Sequence, residues 1–249
     1  MKLKDLGSVA DWQLARLQHH CETIPARIHL TSADPDGLKG INMMKMAKAR
    51  QMSYPITKPY SEALDGKQQW CIAAVPGKAW AKKVFPGERT SVAVEKLWEA
   101  ILSTSRVGED SIGNWDRHNA DLRSRCDYLN ALGIQKLHYT ADNGTDLTVG
   151  MIPEAMFCGG AEVSRQGITF NPNMPTEECF ISPMRGQAEG IVYSTKPLSY
   201  EGQLIENFSM RFEGGKVVEA HAEKGEELLN TMLSMDEGAA YLGECALVP

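Results

Sequence analysis

The chain has 249 residues, of which 43% are apolar and 23% are charged, and its formal net charge is −6. This length and composition allow one large or two smaller globular domains with a buried core. Because the negative charge is spread along the sequence, electrostatic binding to nucleic acid or to an anionic membrane is not expected.

The start of the chain carries no signal for export. Residues 1–5 (MKLKD) lead into an amphipathic stretch without a long apolar core, and no apolar run elsewhere reaches the length of a membrane span. The six cysteines are scattered, without the close pairs of a zinc knuckle or the density of a disulfide scaffold. We therefore expect a cytoplasmic protein with reduced cysteines and no membrane partner.

Strands and helices alternate in the first third of the sequence. Apolar spacing predicts an amphipathic helix through Trp12, a strand over residues 26–30 and a helix over residues 38–49. The apolar run at residues 70–75 is short and continuous, which is typical of a strand covered on both faces. This order predicts a βα-type arrangement.

Two longer helices are predicted next. Apolar residues recur at helical spacing between residues 90 and 105, and again from Trp115 to Leu129, before Gly133 ends the pattern. Each helix therefore has one apolar face that must pack against the rest of the protein.

Short strands dominate the second half of the sequence. The predicted strands are residues 134–140, 147–151, 168–171, 191–198, 204–213 and 216–222. Residues 214–215 (GG) predict a two-residue hairpin turn, and residues 224–235 predict a helix. The glycine-bearing stretches at 159–160 and 186–190 are predicted as turns, since neither has the strand-GxGxxG-helix context of a dinucleotide site.

The change of pattern near Gly133 divides the chain into two predicted regions. Residues 1–133 are expected to form a helix-rich α/β region, and residues 134–249 are expected to form a β-rich region. The predicted fold class is therefore mixed α/β.

Common catalytic signatures do not occur. GxSxG, GxxxxGK[ST] and HExxH are absent from the sequence. Cys179 is disfavoured as a nucleophile, because neighbouring carboxylates disfavour a thiolate. His138 is interpreted as a structural histidine. The residues themselves thus identify no catalytic group and no site for an organic cofactor.

An acidic pair gives the first chemical signal. Glu177 and Glu178 follow two prolines and precede Cys179 and Phe180. If the segment is a strand, alternation puts Glu178 and Phe180 on one face and Glu177 and Cys179 on the other. One of the two carboxylates should then point inward. On the local sequence alone, however, solvated glutamates at the end of a loop are the more common explanation of such a pair.

Glu244 gives the second signal, because it stands inside the apolar run of residues 242–249 (LGECALVP). We expect this carboxylate to be buried within a strand. A buried charge must be paired, neutralised or bound to metal, since the desolvation of an unpaired charge costs too much free energy. A salt bridge to a lysine or arginine would satisfy Glu244 as well as a metal would.

Both segments, together with several others, closely resemble peptidase family M29, the thermophilic aminopeptidases. The resemblance runs from about residue 26 to the last residue, with its blocks in the order of the family. The blocks are residues 73–76 (AAVP), 79–85 (AWAKKVF), 95–98 (EKLW), 137–140 (LHYT), 144–148 (GTDLT), 172–180 (PNMPTEECF), 194–198 (STKPL) and 242–249 (LGECALVP).

The resemblance implies a fold, an activity and a site. The fold would be that of the thermophilic metalloproteases, and the activity would be removal of N-terminal residues from peptide substrates by two divalent ions, zinc or cobalt. Matched block by block, the metal ligands fall on Glu178 and Glu244, with Glu177 as the alternative to Glu178. The resemblance also implies a homodimer.

The sequence departs from the family at both ends. Family members begin with a further α/β region and continue past the LGE block into a segment with two histidine ligands, an aspartate ligand and a catalytic tyrosine. The chain is therefore expected to be an internal fragment with part of the metal site. A non-catalytic interaction or oligomerisation module derived from the family is the alternative.

Overall fold

The computed structural model describes residues 1–32, 34–200 and 202–249. Its helices are α1 Leu3–Leu6, α2 Asp11–Thr23, α3 Met43–Leu64, α4 Lys78–Val84, α5 Thr90–Thr104, α6 Ser111–Ala131 and α7 Glu226–Leu233. Its strands are β1 Arg27–Thr31, β2 Trp70–Ala74, β3 Lys136–Thr140, β4 Asp146–Met151, β5 Glu162–Val163, β6 Thr169–Phe170, β7 Asn173–Met174, β8 Cys179–Ile181, β9 Pro183–Tyr193, β10 Leu198–Tyr200, β11 Gln203–Glu213, β12 Lys216–Lys224 and β13 Cys245–Leu247. Within these ranges, none of the helices combines the length and the apolar character needed to cross a bilayer.

The chain forms two compact units, and the first contains residues 1–32, 40–76 and 161–175. Its three-stranded sheet has the order β1-β2-β7, and both pairings are parallel. The strands predicted at 26–30 and 70–75 are confirmed. The expectation that the second is covered on both faces is wrong, because Ile72 is 38% exposed and the other β2 residues are only half-buried.

The long helix α3 differs from its prediction at both ends. It begins after Asn42, whose side-chain oxygen accepts a hydrogen bond from the Lys45 amide at 2.9 Å. That bond satisfies one of the free amides of the first turn and fixes the start of the helix. The helix then runs to Leu64 through Pro55 and Pro59. Proline normally ends a helical pattern, so the prediction from the sequence ended the helix too early.

The second unit contains residues 77–160 and 176–249, with a short segment that ends at Lys39. Its six-stranded sheet has the order β10-β11-β9-β4-β3, and β12 pairs with β11. All of these pairings are antiparallel. The predicted hairpin turn is confirmed, since Gly214 and Gly215 have φ of 56° and 80°.

The glycine-bearing stretch at 186–190 lies inside β9, so its prediction as a turn was wrong. Gly190 has φ of 116°, and a Cβ at this position would stand 2.1 Å from the carbonyl oxygen of Asp146 in β4. The glycine is therefore needed for the close approach of two strands, not for a change of chain direction.

Helix α6 packs its buried face onto the core of this unit. Trp115, His118, Leu122 and Cys126 are buried at spacings of three and four residues. The core cluster joins α6 to β4, β8, β9, β11 and β13 through Leu122, Cys126, Leu147, Val149, Met151, Phe157, Cys179, Ile181, Ala188, Phe212 and Cys245. The predicted boundary at Gly133 falls within this unit, because α6 packs with the strands that follow it.

Candidate metal-binding site

Two short paired strands carry the two carboxylates that the family resemblance selects. β8 and β13 are antiparallel, with Cys245 opposite Ile181 and Leu247 opposite Cys179. Glu178 immediately precedes β8, and Glu244 immediately precedes β13. In an antiparallel pair, the residues before each strand lie at opposite ends of the ladder. Continuing the register puts Glu244 level with residue 182, so its backbone is about 14 Å along the ladder from that of Glu178.

Strand alternation puts the two glutamates on the same face of this ladder. Glu178 shares its face with Phe180, and Glu244 shares its face with Ala246, which is paired with Phe180. Two ions about 4 Å apart, each about 2 Å from a carboxylate oxygen, would bridge oxygens up to about 8 Å apart. Both side chains must therefore extend toward each other across Phe180 and Ala246 to share a two-ion site.

Glu244 itself is exposed, which overturns the expectation that it is a buried charge within a strand. It precedes β13 and follows the exposed Gly243, whereas the next residue, Cys245, is buried. The apolar residues around Glu244 in sequence therefore do not bury it. An exposed carboxylate needs no buried partner, so the sequence argument for such a partner was wrong.

The acidic pair has two different environments. Glu177 forms an ion pair with Arg106 through two contacts, in which Nη1 lies 2.6 Å from Oε1 and Nη2 donates a hydrogen bond to Oε2 at 2.7 Å. The hydrogen bond from Arg106 and the charge of its guanidinium hold the pKa of the Glu177 carboxyl below its usual value. Glu178 is half-buried, and its carboxylate has no hydrogen bond or ion pair among the described residues.

The residues in front of Glu178 are attached to the start of α6 and the turn before it. His118 Nε2 lies 2.7 Å from the Thr176 carbonyl oxygen, and it must donate because a carbonyl only accepts. The His118 ring is 9% exposed and packs edge-on against Trp115, with 5.6 Å between ring centroids. Thr176 and Glu177 are thus held by two separate side chains.

The residues after Glu178 are held by the loop at 157–160. Cys158 and Phe180 exchange two backbone hydrogen bonds, of 2.9 and 2.8 Å. A Cβ on Gly159 would stand 2.4 Å from the carbonyl oxygen of Glu178. Only glycine allows the loop to pass this close to the main chain of Glu178, so the predicted turn at 159–160 also has a packing role.

Arg106, His118 and Gly159 were missed by the sequence reasoning as residues of this site. Arg106 follows a helix and His118 lies within one, and neither has a partner nearby in the sequence. Their contacts with Thr176 and Glu177 span 58 and 71 residues. Spacing rules describe neighbours on one helix or strand, so they cannot detect contacts of this kind.

The other polar residues considered from the sequence have structural contacts. Cys179 is 3% exposed, and its Sγ lies 3.8 Å from the Leu122 carbonyl oxygen. Burial raises the pKa of the neighbouring Cys126 thiol to about 12. His138 is exposed on β3 and pairs with Asp146 of β4 at 2.7 Å. In the part of the chain that the structure describes, no three His, Cys, Asp or Glu side chains form a group that could hold a metal ion.

Comparisons with known proteins agree on one family. The model of the family described as thermophilic metalloprotease (M29) matches residues 1–249. Aminopeptidase AmpS of Bacillus subtilis (strain 168) is 38% identical over 241 residues, which are 96% of this chain and 58% of that protein. Aminopeptidase T of Thermus aquaticus is 41% identical over 226 residues, which are 90% of this chain and 55% of that protein.

A solved structure supports the same conclusion for the fold. Wild-type AmpT from Thermus thermophilus superposes with a TM-score of 0.88 at 38% identity, and the match covers 98% of this chain and 60% of that one. The mixed α/β fold predicted from the sequence is confirmed. The chain spans a little more than half the length of the curated relatives that it matches.

Proposed function

The chain belongs to the thermophilic metalloprotease family M29, and on this basis we propose that it serves the metal-dependent removal of N-terminal residues from peptides. The aminopeptidases that it resembles are 38% and 41% identical over nine-tenths or more of its length. The single observation that carries the proposal is this match across the whole chain, which includes the segments of Glu178 and Glu244.

Glu178 and Glu244 are the proposed metal ligands in this chain. Neither carboxylate has a competing hydrogen bond or ion pair among the described residues. Carboxylate oxygens suit zinc and cobalt as well as harder ions, so the donor chemistry fits two divalent ions of this kind. Such ions supply Lewis acidity toward a scissile carbonyl and lower the pKa of water.

The ion pair with Arg106 favours Glu178 over Glu177 as the ligand of the acidic pair. To bind metal, Glu177 would have to give up a charge-assisted hydrogen bond and a second ion contact with Arg106. Glu178 has no such bonds to lose, and its main chain is held on both sides. The proposed role of Glu177 is therefore to anchor the segment, while Glu178 contributes the donor oxygen.

Two carboxylates supply the negative charge of the site but not its full coordination. Zinc in catalytic sites is held by three protein ligands and keeps one open position. A tight two-ion site accordingly needs donors beyond Glu178 and Glu244. The contribution of this chain is to hold two carboxylates on one face of the β8–β13 ladder, where they would offset the positive charge of the ions.

Calorimetric titration with zinc and cobalt tests the proposal. Heat of binding is expected for the purified chain, and it should be reduced in Glu178→Gln and in Glu244→Gln. Glu177→Gln should bind metal more strongly than Glu178→Gln. Glu154→Gln is the matched control, because Glu154 is an exposed glutamate of the same unit.

The activity is measured in parallel as hydrolysis of leucine amide with each metal. Cleavage would reject a purely non-catalytic module. Absence of heat with both metals, together with unchanged behaviour of Glu178→Gln, would reject the metal-site role and leave the interaction module as the better explanation.

We also propose a homodimer and a cytoplasmic location, which the family resemblance implies. The dimer is tested by light scattering after size-exclusion chromatography, where a mass of twice 27.5 kDa is expected. The location is tested by fractionation of cells that produce the native protein.

A further inference from the structure

We infer that Arg106 and His118 are positioning residues that fix the main chain in front of Glu178 and so set the direction of its carboxylate. The inference rests on the proposed function for the role of Glu178 as a metal ligand. It adds two residues that lie far from Glu178 in sequence and that act on it only through Thr176 and Glu177.

Each of the residues 176–178 is held by a contact of its own. His118 donates a hydrogen bond to the Thr176 carbonyl at 2.7 Å. The Arg106 guanidinium contacts both carboxylate oxygens of Glu177. The backbone of Gly159 then lies against the carbonyl of Glu178. Three successive residues are therefore constrained by three different parts of the second unit, and a segment held in this way has little freedom to rotate.

Arg106 is itself held in an unusual backbone conformation. Its φ is 58°, in the left-handed region that residues other than glycine seldom adopt. The carbonyls of Ser105 and Arg106 accept hydrogen bonds from Trp115 Nε1 at 2.8 Å and from Asn114 Nδ2 at 3.1 Å. Helix α6 thus fixes the backbone of the turn from which Arg106 reaches Glu177.

The Glu178 side chain has no attachment of its own. Its carboxylate is without a hydrogen bond or ion pair in the described residues, so its position depends on the backbone that carries it. Mutation of residues that contact a metal ligand and orient it typically costs about 10- to 100-fold in metal affinity. Here the orienting contacts act on the backbone of the ligand and not on its carboxylate.

If Arg106 and Glu177 formed only a surface salt bridge, its loss would have a different effect on the surroundings of Glu178. The side chains of Arg106 and Glu177 are 27% and 44% exposed, and pairs of this kind contribute little to overall stability. A positioning pair should therefore affect the neighbourhood of Glu178 strongly and the unfolding midpoint weakly. This contrast separates the two roles.

The first experiment uses the thiol of Cys179, which follows Glu178 and is 3% exposed. Alkylation with N-ethylmaleimide is followed by peptide mass spectrometry in the wild-type chain, Arg106→Met and His118→Phe. Loss of either attachment should allow local opening and speed the labelling of Cys179 by about tenfold or more. Arg211→Met is the matched control, since Arg211 of β11 donates two hydrogen bonds to Glu219 of β12, outside this segment.

The labelling of Cys245 is measured in the same samples. Cys245 is buried in β13, which pairs with β8, and its labelling should be accelerated less than that of Cys179. Unchanged labelling of Cys179 in Arg106→Met and in His118→Phe would overturn the inference. Equal acceleration of Cys179 and Cys245 would also overturn it, because the residues would then support the fold as a whole.

The second experiment measures cobalt binding through its visible absorption. Arg106→Met should weaken the Kd by about 10- to 100-fold and change the spectrum. The charge-reversed double variant Arg106→Glu with Glu177→Arg should recover most of both properties. A wild-type Kd in Arg106→Met would contradict the inference while leaving the proposed function intact. Failure of the wild-type chain to bind cobalt would instead contradict the proposed function, and the Cys179 labelling would still decide the positioning role.

Discussion

Arg106 and Glu177 form an ion pair through two contacts, with Nη1 2.6 Å from Oε1 and Nη2 2.7 Å from Oε2, immediately before the candidate metal ligand Glu178. The pair gives neighbouring glutamates different roles. The ion pair engages the carboxylate of Glu177 and leaves that of Glu178 available to bind metal.

Substitution of Gly159 should disturb Glu178 directly. In Gly159→Ala, the added Cβ would stand 2.4 Å from the Glu178 carbonyl oxygen, so the loop or the carbonyl must shift. Overpacking of this kind costs about 1–3 kcal/mol, which urea unfolding would measure. Gly87→Ala is the control, because a Cβ there meets no atom within 4 Å. Equal unfolding free energies for the two variants would show that the close approach is not needed.

The buried face of α6 should be essential for stability. Leu122 is 1% exposed and belongs to the core cluster that includes Cys179 and Ile181. Leu122→Ala should lower the free energy of unfolding by about 2–5 kcal/mol, through lost burial and the cavity that remains. Leu132→Ala removes the same atoms from a side chain that is 55% exposed. A comparable loss in Leu132→Ala would contradict the assignment of the core.

The ion pair should contribute to stability only where Glu177 is ionised. Because Arg106 lowers the pKa of Glu177 in the folded state, the contribution is present above the unfolded value of 4.5. It is lost as the pH falls below 4.5 and through the lower folded pKa. The difference in unfolding free energy between wild type and Glu177→Gln should therefore be largest near neutral pH, at about 1 kcal/mol or less for a partly exposed pair.

Urea titrations of both proteins at neutral and acidic pH would measure that difference. It should shrink toward zero at pH values well below 4.5. A difference that grows on acidification would have the wrong sign for a depressed carboxyl pKa, and it would contradict the observed pairing.

Local pattern predicted most elements of the fold. The helix over residues 90–105 and the strands that became β3, β4, β11 and β12 follow from apolar spacing, because each buries one regular face. The errors occur where a contact from elsewhere decides the backbone. Gly190 lies in a strand because β4 approaches it closely, and α3 continues through two prolines.

The candidate site was less accessible to sequence reasoning. Glu178 and Glu244 were selected by family resemblance, and the local argument for Glu244 was wrong because that residue is exposed. Arg106 and His118 could not be found, since their contacts join residues that are 58 or more positions apart. Long-range contacts of single side chains leave no periodic pattern in a sequence.

The most direct test of the account is a crystal structure of the chain soaked with zinc, with ions located by anomalous scattering. Oxygens of Glu178 and Glu244 are both expected about 2.0–2.2 Å from zinc, on one ion or on two ions about 4 Å apart. Zinc bound by Glu177 in place of Glu178, or the two carboxylates more than about 12 Å apart with zinc present, would contradict it.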